Sequence, residues 1–159
     1  MATTYATKAN IDDEWRDVNV KSWMSVAESA TLDSDDLAYI DRAINYAERR
    51  IDAILGSVVT TPFTGDDLTA MADLLREWTV DLAAIRIFTK TGMHDSQVGG
   101  ALEFRYKRVI EDLEAFRAGE MAFPAGVSVN TQADHGHHGT EDTGSDDYKD
   151  KAFNEDTLT

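Results

Sequence analysis

The sequence predicts an all-α fold: a small bundle of three long helices, preceded by short N-terminal helices and followed by an extended acidic C-terminal tail. Three observations carry this expectation. Three long stretches place apolar side chains at alternating three- and four-residue steps, the spacing of one helix face. Each stretch is bounded by residues that start or stop helices. Beyond Phe123-Pro124 the apolar periodicity ceases, and Gly, Asp, Thr, Ser and His take over.

The first long helix is expected from about Asp35 to Leu55. Ser34 is placed as its N-cap, with Asp35 and Asp36 in the first turn, where the helix dipole favours carboxylates. Its stripe is Leu37, Ile40, Ile44, Ala47, Ile51 and Ile54, and Gly56 follows as a C′ residue. The linker 57–65 carries Pro62 and β-branched residues, so it reads as extended. The second helix opens on Thr64 as N-cap, with Asp67 in a capping-box position, and runs to about Lys90. Leu68, Met71, Leu75, Trp78, Leu82, Ile85 and Phe88 form its stripe, the richest in the chain, so this helix is expected at the centre of the domain.

A polar turn leads to the third helix, from about Gln97 to Ala118, with Val98, Leu102, Tyr106, Val109, Leu113 and Phe116 buried and Gly119 ending it. Ahead of all three, Asn10 and Asp13 are placed as caps of a short helix with Ile11 and Trp15, and a second short helix is expected around Trp23, Met24 and Ala27. The organisation that follows is an N-terminal segment over residues 1–30, a helical core over 31–124 and an acidic tail over 125–159.

The chain has 159 residues, with 30 Asp and Glu against 15 Lys and Arg, a formal charge of −15. Such a balance argues against a broad phosphate-neutralising surface, which needs clustered Lys and Arg. Carboxylates are spread along the whole chain, and six lysines stand against nine arginines. This is the pattern of proteins from salt-in halophiles, where a Debye length of about 3 Å removes much of the self-repulsion; an ordinary acidic protein with an acidic tail would share it. The absence of cysteine excludes disulfides and thiol chemistry. No run of about 18 apolar residues offers a membrane span, and the N-terminal stretch has no signal-peptide character.

Several groups could carry chemistry. His135, His137 and His138 lie beside Asp134 and Glu141, residue types that ligate divalent metals, but glycine-flanked chain offers them no preorganised geometry. His94 stands alone in a turn. Asp33 to Asp36 lacks the central glycine and the twelfth-position Glu of a calcium loop, so capping accounts for it. Glu111 and Glu114 sit one turn apart, as in all-α metal-dependent nucleotide hydrolases, and Asp73, Glu77 and Asp81 could face them. In so acidic a chain these are expected as a solvated face. Arg49-Arg50 and Arg105, Lys107 and Arg108 are the basic clusters, expected at solvent or ion-pair positions. No phosphate loop, nucleophile elbow or catalytic histidine pair is present, so no enzyme, no cofactor and no metal is expected.

From roughly Leu32 to Pro124 the chain resembles the head–tail connector (adaptor, or head-completion) family of long-tailed phages and related archaeal tailed viruses. The matching residues are Ala43-Ile44-Asn45-Tyr46-Ala47-Glu48-Arg49-Arg50-Ile51-Asp52, with the family's I-D step; Thr61-Pro62-Phe63; Leu75, Asp81, Leu82, Ala83 and Arg86; and Arg105-Tyr106-Lys107 opening a helix that closes on Phe116-Arg117-Ala118-Gly119-Glu120. What the resemblance implies is a structural subunit of the virion neck: a homo-oligomeric, dodecameric ring between the portal protein and a stopper or tail-completion protein, with DNA passing through its channel unbound. It also implies a C-terminal arm that reaches the portal. Phe123, Pro124, Tyr148, Phe153 and Leu158 are the apolar anchors such an arm would use. The sequence also allows a helical protein-interaction module of a halophile or, less readily, an all-α metal-dependent nucleotide hydrolase.

Overall fold

The computed structural model describes residues 4–24, 26–27, 30–90 and 96–130, and among them the chain is an all-α bundle of five helices. They are α1 (Lys8–Trp15), α2 (Asp17–Trp23), α3 (Ser34–Leu55), α4 (Gly65–Thr89) and α5 (Ser96–Ala118). Helix α4 is central: it packs against each of the other four, because its apolar residues surround most of its circumference. Met71, Leu75, Trp78, Leu82, Ala83, Ala84 and Ile87 are all buried. From α3 come Ile40, Ala43, Ile44, Ala47, Ile51 and Leu55, and from α5 come Leu102, Val109, Leu113 and Phe116. Trp78 is 2 % exposed and meets Phe116 edge-on at 5.5 Å.

The helix ends differ from the sequence expectation by small shifts with clear causes. Helix α3 begins at Ser34 and its N-cap is Asp33, whose carboxylate accepts from the backbone N–H groups of Asp35 (2.9 Å) and Asp36 (2.8 Å). Ser34, one residue later, is already helical. Gly56 keeps right-handed dihedrals (φ −60°), so it closes α3 as the C-cap and not as a left-handed C′ residue. Its glycine is required for another reason: a Cβ there would lie 2.8 Å from the Asp52 carbonyl oxygen and 3.2 Å from Thr61 Oγ1. Gly119, by contrast, does adopt the left-handed region (φ 75°) that ends α5.

Thr64 is the N-cap of α4, but its side chain makes no cap hydrogen bond. Asp67 does not complete a box; its Oδ1 accepts from the backbone N–H of Ser128 at 2.9 Å. At α1 the cap is Thr7. Its backbone N–H and its hydroxyl both donate to Asn10 Oδ1 at 2.9 Å, so Asn10 serves from inside the helix and is not itself the cap. Arg16 joins α1 to α2 at positive φ (φ 61°, ψ 135°), a sparsely populated conformation that costs a non-glycine residue about 1–3 kcal/mol. Helix α2 stops at Trp23, leaving Met24 as its cap and Ala27 beyond it. Leu37, placed in the buried stripe by spacing, is 42 % exposed.

Two connections close the bundle. An aromatic ladder from Trp15 to Trp23 (5.7 Å) to Phe88 (5.9 Å) fastens α1 and α2 to α4. After α5 the chain turns back along the core: Phe123 packs on Phe116 at 4.8 Å, Val129 bridges antiparallel to Val59, and the N–H of Asn130 donates to the Val58 carbonyl at 2.7 Å.

Candidate functional site

Three surfaces stand out, each built by residues from several segments of the chain. The first is a groove between α1, α4 and α5 with a volume of about 620 Å³. Its floor follows from spacing. Asp73, Glu77 and Asp81 recur every fourth residue on one flank of α4, and Ala101, Arg105 and Arg108 recur on one flank of α5. Antiparallel packing sets these flanks against one another, so the acids meet arginines. Arg105 Nη1 donates to Asp81 Oδ1 at 3.1 Å and to Glu14 Oε1 of α1 at 2.5 Å, and its guanidinium lies 4.6 Å from the Trp15 ring centroid.

Asp81 is 4 % exposed, which overturns its expected place on a solvated face. Burial raises its pKa, and the hydrogen bond and charge of Arg105 only partly offset that. Burial also disfavours the Arg105 cation, but its hydrogen bonds to Glu14 and Asp81 prevail and its pKa is raised. Asp73, at the surface, pairs with Arg76 at 2.9 Å. On the rim stands Phe104, 70 % exposed. Glu111 and Glu114 do not reach this groove: Glu111 is exposed, and Glu114 pairs with Arg117 on its own helix. The paired-carboxylate arrangement of a nucleotide hydrolase is therefore not assembled from these five acids.

The second surface is a hook made by the N-terminal strand of chain. Tyr5 reaches across 47 residues of sequence to place its hydroxyl between two elements, donating to Asp52 Oδ1 (2.6 Å) and accepting from the backbone N–H of Phe63 (2.9 Å). Its own N–H donates to Glu48 Oε1 at 2.7 Å. Burial pushes the Tyr5 phenol far above its ordinary value, with the Asp52 hydrogen bond and charge adding to it. Burial also raises Glu48, against backbone hydrogen bonds from Tyr5 and Ala6, and raises Asp52 against the Tyr5 hydroxyl.

The third surface is a strip of cations and tyrosines along α3, α4 and α5. Tyr39, Arg42, Tyr46 and Arg49 follow a 3-4-3 spacing on one flank of α3, and Arg50 adjoins them one turn beyond Tyr46. Arg86 of α4 covers the Tyr46 ring at 4.0 Å, and Lys90 covers Tyr39 at 4.7 Å. Arg42 lies 5.7 Å from the Tyr39 centroid, and Arg50 lies 5.5 Å from that of Tyr106 on α5.

Of the anchors expected from sequence, Phe123 is half-buried against Phe116, and Pro124 is half-buried with its carbonyl accepting from Val127 N–H at 3.3 Å. Tyr148, Phe153 and Leu158 lie outside the described residues, as do His94, His135, His137 and His138. Among the described residues no cluster of metal-ligating side chains occurs, and no helix is long and apolar enough to cross a membrane. Sequence reasoning missed Tyr5, Glu14 and Phe104. Phe104 had a visible signal, since it falls between Leu102 and Tyr106 and off the stripe they share; Tyr5 and Glu14 had none.

A family model described as Bacteriophage Mu, Gp36 matches residues 5–140, a span that contains all five helices. Among curated proteins none matches the chain.

Proposed function

The chain belongs to the bacteriophage Mu Gp36 family of phage proteins, and on that premise we propose that it is a structural subunit of the virion neck. It assembles as a homo-oligomeric, dodecameric head–tail adaptor ring beneath the portal. The ring joins the capsid to the stopper or tail-completion protein and lines the DNA exit channel. The observation that carries this reading is the family match across the whole helical core.

The geometry supports it in two ways. Arginine holds the buried carboxylate of the α4–α5 groove, so the groove is a braced wedge between helices and not an open acidic centre. Phe104 on its rim is a large aromatic in water beside arginines, the composition of a protein–protein contact. The acidic exterior suits a channel through which DNA slides, because repulsion of phosphates replaces their capture. In this reading Phe123 and Pro124 lead into an arm whose Tyr148, Phe153 and Leu158 dock on the portal.

The test is the mass of the purified chain by light scattering, with electron microscopy of the same sample and of portal-bearing heads. Rings, or copies seated at the neck, are expected, and Phe104→Ser should weaken them. Truncation after Asn130 keeps every described contact of the core, so helical circular dichroism should persist while attachment to heads is lost. A monomer that never joins heads defeats the adaptor; truncated chain that joins them normally defeats the arm.

A further inference from the structure

We propose that the cation–tyrosine strip on α3 is the docking site of the chain's own acidic segment, residues 131–159, in the subunit before it meets a partner. The strip gathers Arg42, Arg49, Arg50, Arg86 and Lys90, five of the fifteen Lys and Arg of a chain whose formal charge is −15. Among the described residues, Asp36 at the far end of the strip is the carboxylate that pairs with any of them, reaching Lys90 at 3.4 Å. Arg42, Arg49, Arg50 and Arg86 form no ion pair there. Arg50 Nε is buried with no hydrogen-bond partner. Arg50 Nη1 donates to the Tyr46 hydroxyl at 3.4 Å; a guanidinium carries five N–H donors, so the arginines of the strip keep donors that can pair with carboxylates in forked geometry.

Two facts name the occupant. Residues 131–159 carry eight Asp and Glu against Lys149 and Lys151, a net charge of −6, interleaved with Tyr148, Phe153 and Leu158. Their pattern of acids and aromatics complements cations and tyrosines. The described chain also ends at the loop that follows α3: Asn130 is tied to Val58 and Thr60, and Arg49 and Arg50 belong to the C-terminal half of that helix. From Tyr39 to Arg50 the strip is about 17 Å long at 1.5 Å per residue. The segment of 29 residues could span roughly 95 Å if extended, so reach is ample. This proposal does not depend on the ring reading and is tested on the isolated full-length chain.

Lys149 and Lys151 are the sole tryptic sites in the segment, so limited trypsin digestion followed by mass spectrometry reports directly on its protection. At low salt, the full-length protein should be cut at these lysines roughly tenfold more slowly than the Arg42→Glu/Arg49→Glu variant. In about 1 M salt, where charges are screened beyond about 3 Å, the two should be cut alike. Both substitutions are at exposed helix positions, and unchanged circular dichroism verifies the fold. Arg42→Lys/Arg49→Lys should retain most of the protection. Equal cleavage of wild type and charge-reversed variant at low salt overturns the proposal. So does a charge reversal that alters oligomeric mass or DNA retention while leaving cleavage unchanged, because the strip would then belong to a second copy or to DNA.

Discussion

Replacing Arg105 with alanine removes the one cation that reaches both Asp81 and Glu14. Breaking a buried ion pair from one side costs about 3–5 kcal/mol, because the partner charge is left in place without compensation. Asp81 meets that condition, but the Arg105 side chain is 39 % exposed, so solvent screening trims the figure to about 2–3 kcal/mol. Loss of the contact with the Trp15 ring adds about 0.5–1 kcal/mol. The expected destabilisation is therefore about 3 kcal/mol at neutral pH, or a fall in Tm of roughly 10 °C for a domain of this size.

The pH dependence is the sharper test. Asp81 already titrates above an ordinary aspartate because it is buried, and without Arg105 it rises further. A carboxyl whose folded pKa exceeds its unfolded value binds its proton more tightly in the folded state, so stability increases as pH falls through the folded pKa. The gap between wild type and Arg105→Ala should thus narrow as pH is lowered from neutral toward the ordinary aspartate range, about 4. Thermal melts followed by circular dichroism give both quantities. A variant within about 2 °C of wild type at pH 7, or a gap that stays constant with pH, would refute the assignment. Asp81→Leu with Arg105→Met should recover much of the loss, since an apolar pair of similar volume needs no compensation.

Trp78→Ala should destabilise the fold by about 3–5 kcal/mol in denaturant titration, as expected when a large aromatic leaves a packed core. Tyr5→Phe removes the donor to Asp52 and leaves the Phe63 N–H without its acceptor; a loss of about 1–3 kcal/mol is expected by the same titration. Wild-type Tm should rise as pH is lowered from neutral toward the ordinary carboxylate range, about 4, because Glu48, Asp52 and Asp81 all have raised folded pKa values and the net negative charge shrinks; a monotonic fall in that window contradicts it. Glu111→Ala/Glu114→Ala should leave melting and head attachment unchanged, since Glu111 is exposed and Glu114 pairs locally with Arg117.

The three long helices were legible because burial against neighbours enforces a 3-4 spacing that survives in the sequence from Ile40 to Leu55, Met71 to Phe88 and Leu102 to Phe116. Their ends were legible to within a residue or so. Asp33 and Ser34 are both good caps, and only backbone dihedrals decide between them. The groove was half legible: the acids of α4 and the arginines of α5 were each visible, but their pairing depends on which flanks antiparallel packing opposes. In a chain this rich in carboxylates, charge alone names no partner for Arg105. The hook at Tyr5 and the return of Val127 to Asn130 were not legible, since long-range contacts made by short irregular segments leave no periodic trace.

That return bears on how the molecule carries mechanical load. Between Phe116 and Asn130 the chain is fastened in succession to three places: Phe123 on α5, Ser128 on the first turn of α4, and Val129 with Asn130 on the loop after α3. Tyr5 holds the same loop at Phe63. Tension applied beyond Asn130 therefore reaches the loop that joins the two best-packed helices before it can peel α5 away, and the bundle resists as one body.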